Sequence, residues 1–174
     1  MKKLIAALLS LCLMLSAVAV FAEAPAVKEL NWSTYAEEAS KVEGSLENVN
    51  STDLKMFVPA QFQDSAISEE AVQKGHFLLL KSTDGKAVVT GQILPLPMDV
   101  VMAGIAQSVK GLEEGKINGI AVKSFAVESD GVVSKCIAIG TNQNSVIMFS
   151  FTPANDPNFV NLFKLMAASL QHAE

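Results

Sequence analysis

The sequence predicts an α+β domain, a three-layer α/β/α sandwich around a mostly antiparallel sheet. Three observations carry that expectation. Stretches with helical spacing alternate with stretches of strand character along the chain. Two Asp-Gly pairs, Asp84-Gly85 and Asp130-Gly131, each sit between strand-like runs, where hairpin turns need a positive φ. "SVIMFSF", residues 145–151, is apolar on both faces: Ile147, Phe149 and Phe151 point one way, and Val146 and Met148 the other. A sheet covered on both sides produces that pattern.

The chain divides into three parts. Residues 1–22 read as a signal peptide. "MKK" is a basic start, an apolar run follows, and Val20 and Ala22 suit the −3 and −1 positions of a cleavage before Glu23. The run approaches the ~20 residues a membrane span needs, but an acidic segment follows the small-residue site, which favours cleavage over an anchor. Cys12 lies inside the apolar run with Leu11 before it, so a lipid anchor is not expected. Residues 23–31 form an N-terminal tether, and residues 32–174 a single α/β/α domain. Export places the protein in the periplasm or the extracellular medium, with no membrane anchor after cleavage.

The elements follow in order. Trp32, Tyr35 or Ala36, Ala39 and Val42 recur at helical spacing, so a helix runs from about Ser33, its cap, to Glu43, and Gly44 ends it. Leu46 and Val49 mark a short strand, and "DLKMFVP" a stronger one stopped by Pro59. Ser68 caps a short helix. "HFLLLKS" and "KAVVTGQIL" flank Asp84-Gly85 as a hairpin. Met98, Met102, Ile105, Val109 and Leu112 step round one face of a further helix. A strand restarts near Ile117 and opens a three-strand meander with "VVSKCIAIGT" and "SVIMFSFTP". The last helix has Asp156 as its cap and Pro157 at its first position. Phe159, Leu162, Phe163, Met166 and Leu170 form its apolar stripe.

Charge and chemistry narrow the function classes. The thirteen basic residues are all lysines, and losing Lys2 and Lys3 leaves eleven against eighteen acids, a balance near −7. Nucleic-acid recognition relies on arginine forks and a basic field, so no nucleic-acid partner is expected. Cys136 has Ser134, Ala138 and Gly140 on its own side of a strand, which reads as a small core residue under a closely packed helix or other backbone rather than a nucleophile. His76 heads a strand and His172 sits in a frayed tail. Two distant histidines and one cysteine give no metal-ligand spacing. The acid pairs Glu37-Glu38, Glu69-Glu70 and Glu113-Glu114 read as solvated surface. No catalytic residue, metal site or cofactor is expected. Trp32 and Tyr35, the only tryptophan and tyrosine, are the candidate binding residues, because these types are enriched at interfaces. Covering one end of the core is their alternative role.

"DLKMFVPAQF", a hairpin, a helix, "INGIAVKSF", "TNQNSVIMFSFTP" and "DPNFVNLFKLMAASLQ" succeed one another over most of residues 32–171. In this succession the chain resembles exported bacterial proteins of the PsbP-like α/β/α sandwich fold, which includes the extrinsic photosystem protein and a Ran-binding nuclear import factor. The resemblance implies a non-enzymatic protein that docks on larger assemblies, and it transfers no site residue. The leading expectation is therefore an exported binding or assembly-accessory domain with a protein partner in the envelope or secretome. Two alternatives are a small hydrolase or carbohydrate-acting enzyme with a fold-assembled carboxylate pair, and a small-ligand carrier with a cleft under the Met98–Leu112 helix.

Overall fold

The computed structural model describes residues 29–173. Residues 1–28, on which the expected signal peptide and most of the expected tether fall, lie outside the described residues. Along the chain run β1 (Glu29–Leu30), α1 (Trp32–Ala39), β2 (Gly44–Asn48), β3 (Leu54–Pro59), β4 (Phe62–Asp64), α2 (Glu69–Gln73), β5 (His76–Ser82) and β6 (Val88–Leu94). They are followed by α3 (Met98–Ile105), β7 (Lys110–Ile117), β8 (Ile120–Ser129), β9 (Val132–Gly140), β10 (Val146–Thr152), α4 (Pro157–Ala168) and β11 (Gln171–His172).

This is a mixed α/β protein with mostly antiparallel sheets. One sheet has eight strands in the order β1-β7-β8-β9-β10-β6-β5-β4, and a second has three, β11-β3-β2. Among the described residues only β1 against β7 is parallel. The sequence suggested one sheet. The division follows from Pro59: β3 stops there, and the chain turns through Ala60 and Gln61 into β4 at the edge of the large sheet. Glu29 and Leu30, read as tether, instead pair with Lys116 and Ile117 as β1.

The two faces of β10 separate as expected. Ile147, Phe149 and Phe151 join the main core with Leu54, Met56 and Val58 of β3 and Phe159, Phe163, Met166 and Leu170 of the α4 segment. Phe62, Phe151 and Phe159 each lie within 6.4 Å, centroid to centroid, of at least one other ring in a cluster around Phe163. Val146 and Met148 face the opposite side, under Val101, Met102 and Ile105 of α3. Cover there is partial. Towards the end of β10 the same face carries half-buried Thr90 of β6, Ser134 of β9, and Ser150 and Thr152 of β10, with Ser134 Oγ and Thr152 Oγ1 at 2.7 Å.

Several expectations need correction. The Met98–Leu112 stripe ends at Ile105, and Val109 and Leu112 are not helical; Leu112 lies on β7 and is 45% exposed. The chain leaves the helix in a turn at residues 106–108, and Gly111, at φ +60, marks a register shift between Lys110 and Glu113 within β7. The meander consequently has four strands, and Ile117 ends β7 rather than opening a strand. The reversal is Asn118-Gly119, with φ of +48 and +82, the pair that a tight two-residue hairpin requires. The first helix ends at Ala39, and its cap position is Asn31 rather than Ser33. Asp130-Gly131 does form a two-residue hairpin (φ +52 and +76). At Asp84-Gly85 only the glycine has positive φ, in a longer loop where Asp84 Oδ1 accepts from Ser82 Oγ at 2.6 Å and from Lys86 N at 3.1 Å. His172 is not frayed: it pairs with Leu54 in β11, and its Nδ1 lies 2.9 Å from Asp53 Oδ2.

Candidate functional site

Helix α1 is short and lacks a side-chain cap of its own. What fixes its start is distant in sequence. Asn118, in the β7–β8 turn, accepts a hydrogen bond from Trp32 N at 2.7 Å through Oδ1. Its Nδ2 donates to Ala168 O at 2.8 Å and Leu170 O at 2.9 Å, at the end of α4. One amide therefore serves an orphan N–H at one helix start and carbonyls at another helix end. Its backbone N–H also donates to Leu30 O at 2.8 Å.

Held in this way, α1 lies over the outer side of β3 and α4. Ala39, Phe57 and Leu165 are the buried centre of this contact, with Trp32, Tyr35 and Val42 packed round them. Trp32 and Tyr35 are three residues apart and share a helix face. Both are half-buried. The Trp32 ring lies 5.7 Å from that of Phe57, tilted by 36°. Lys164 on α4 holds its Nζ 4.9 Å from the Tyr35 ring centroid, within cation–π range. Leu46 stands opposite Phe57 across the β2–β3 ladder and is 44% exposed. The surface thus combines two partly covered aromatic rings, one cation held against a ring, and an exposed leucine. The two candidate residues come together here: they pack over Ala39, Phe57 and Leu165, the covering role the sequence allowed, and leave part of their surface to solvent.

The other singled-out residues are elsewhere. Cys136 is buried on β9 among Phe125, Ala138 and the α3 side chains, and its Sγ lies 3.7 Å from Ser150 Oγ. A Cβ placed on Gly140 would lie 3.8 Å from Met98 Cε, so the small-residue row does admit a close helix. Val101, Met102 and Ile105 fill the space between α3 and the sheet, which counts against a carrier cleft there. Burial pushes the His76 imidazole below its ordinary value, and the Lys74 charge adds to this. Glu37, Glu38, Glu69 and Glu70 are exposed. A hydrogen bond from Lys123, with its charge, holds Glu114 low, and Lys74 does the same for Glu70. Glu113 stands opposite Ser124 in the ladder. Asp156 caps α4, accepting from Asn158 N at 2.9 Å. Among the described residues no three His, Cys, Asp or Glu side chains gather as metal ligands, and no helix is long and apolar enough to cross a membrane. Two shallow concavities flank β2, of about 410 Å³ beside Asn48–Thr52, Leu54, Lys55 and Ala173, and about 290 Å³ beside Glu43–Ser45, Glu47, Val58–Ala60 and Phe62.

No family model matches the chain, and no curated protein matches it. Among solved structures, a protein from Bacteroides thetaiotaomicron VPI-5482 is 14% identical, with a TM-score of 0.48 over 76% of this chain and 49% of that one. The chain thus spans about half the length of that protein. A protein of unknown function from Pseudomonas aeruginosa is 16% identical, with a TM-score of 0.38 over 76% of this chain and 99% of that one. Likeness at this level carries no argument about function.

Two contributors escaped the sequence reading. Lys164 sits in an otherwise apolar helix stretch, and nothing local links it to Tyr35. Asn118 did leave a signal: Asn-Gly is a hairpin-turn pair, and its asparagine then has a side chain free to clasp other elements.

Proposed function

We propose that this is an exported, non-enzymatic binding or assembly-accessory domain of PsbP-like α/β/α sandwich architecture. It docks on a protein partner of the envelope or secretome through the outer face of α1 and α4, and it requires no cofactor. The observation that carries the reading is the pair Trp32 and Tyr35, side by side and half-buried, with Lys164 against the tyrosine ring. Amphipathic rings with part of their surface left open are typical anchors of protein interfaces. Helices on both faces of the large sheet agree with a sandwich, in which the small sheet shares the second layer with α4. The signal-like residues 1–22 support export to the periplasm or the medium. Cleavage before Glu23 predicts an exported species whose intact mass is that of residues 23–174.

The test is a photo-crosslinking amino acid at position 35, in the chain expressed in its native host. The expected result is one adduct with a defined partner, suppressed by excess unmodified protein. Absence of any competed adduct at 35 overturns the docking face. Trp32→Ala with Tyr35→Ala is expected to weaken the same capture. Trp32 also rests on Phe57, so a circular dichroism melt accompanies that variant.

A further inference from the structure

The outer strand of the small sheet has an open edge. All five residues of β2 are exposed, and the strand pairs only with β3 among the described residues. The ladder fixes which of its peptide groups face outward. Val49 N donates to Leu54 O and Ala60 N to Glu43 O, each at 2.8 Å. By the alternation of antiparallel pairs, residues 43, 45, 47 and 49 turn their peptide groups to β3, while Gly44, Leu46 and Asn48 turn theirs away from it. Exposed edges are commonly blunted by a bulge, a proline or a lysine. β2 has none of these, and its register with β3 is regular from Gly44 to Asn48.

The side chains beside this edge select what can lie there. Ser45 and Glu47 point to the opposite face from Leu46. With Glu43 they border the concavity of about 290 Å³, over apolar Val58, Pro59, Ala60 and Phe62. No cation lines it. A long aliphatic stem ending in a positive charge suits such a place, its stem over the apolar floor and its head at the two carboxylates. A second copy suits it less. Self-pairing centred on Leu46 would set Glu47 diagonally across from the copy's own Glu43 and Glu47.

We propose that β2 is a docking edge for an extended peptide segment bearing lysine or arginine, which adds a strand to the small sheet. The segment hydrogen-bonds to the outward groups of Gly44, Leu46 and Asn48 and sets its cation between Glu43 and Glu47. This mode of recognition draws affinity from the main chain and specificity from alternate side chains. The site uses the edge and the opposite face of the small sheet from Tyr35, so this reading and the α1–α4 docking face can fail separately.

The test is a fluorescence anisotropy titration of the protein with a short labelled peptide of alternating valine and lysine. A second probe has the same charge, with prolines in place of the valines. Saturable binding of the first and not the second is expected. Leu46→Pro removes an outward N–H but no β2–β3 hydrogen bond, and proline is tolerated at such edge positions. It is expected to weaken binding about tenfold or more. Glu43→Gln with Glu47→Gln is expected to weaken binding about tenfold and to flatten its salt dependence. That pair leaves the backbone intact, so it decides the matter if Leu46→Pro does not fold. No binding, equal binding of the proline probe, or wild-type affinity in the carboxamide variant overturns the proposal. A dimer in light scattering that Leu46→Pro dissolves, without peptide binding, assigns the edge to a second copy and overturns it as well.

Discussion

At residue scale the side chain with the widest reach is that of Asn118. It accepts from α1 and donates twice to the end of α4, and its own backbone sits at φ +48, where asparagine is tolerated and alanine is not. Asn118→Ala is expected to lower stability by about 2–4 kcal/mol in urea unfolding, from the abandoned partners and the strained backbone. Asn118→Asp keeps the acceptor for Trp32 N and loses both donors, so it should fall between. Cys136 tests burial directly. At 5% exposure its thiol should resist a thiol reagent in the folded protein and react at once in denaturant. Its environment was legible in the sequence because strand alternation alone lists its neighbours. The partners of Asn118 were not, since they lie 86, 50 and 52 residues away.

At the scale of elements, the most readable were those whose signals are local. Helix α4 announces itself by Asp156, Pro157 and an apolar stripe, and the aspartate does cap it. Asp156→Ala should cost about 1 kcal/mol. Phe163→Ala, which empties the centre of the ring cluster, should cost about 3–5 kcal/mol. Both are read from denaturation midpoints at unchanged m-value. The α3–β7 boundary was not readable. Met98, Met102, Ile105, Val109 and Leu112 fit a helical stripe by number, and periodicity cannot tell a continued helix from a helix followed by a strand with a bulge. Gly111 and Gly115 were the available warnings. The second sheet was hidden for another reason. β2 and β3 read correctly as strands, but which sheet a strand joins depends on long-range pairing.

At the scale of the whole molecule, the ionisable groups set how stability depends on pH. The His76 imidazole is held low by burial, so its contribution is fully present above the ordinary value of 6.5 and is lost as pH falls through its lowered value. Glu70, Glu114 and Asp84 are held low by their lysine or hydroxyl partners. Their contributions are present above about 4.5 for the glutamates and 3.8 for the aspartate, and vanish below. All three are exposed enough that solvent screening keeps the effect small. Melting temperature should therefore be level above pH 6.5, sag below it, and drop further in acid. His76→Gln should remove the first sag alone.

The Asn118 clasp also bears on the order in which the chain acquires its structure. The β7–β8 hairpin closes over a two-residue turn and can form locally. The bonds from its tip to Trp32, Ala168 and Leu170 wait for both ends of the chain to arrive. We predict that these bonds form after the transition state for folding. Cutting them should leave the refolding rate of Asn118→Asp close to that of the parent and place nearly the whole loss of stability in faster unfolding. In a stopped-flow chevron the refolding arms would superimpose and the unfolding arms would separate. The turn that begins as the most local feature of the meander would then govern how long the finished molecule lasts.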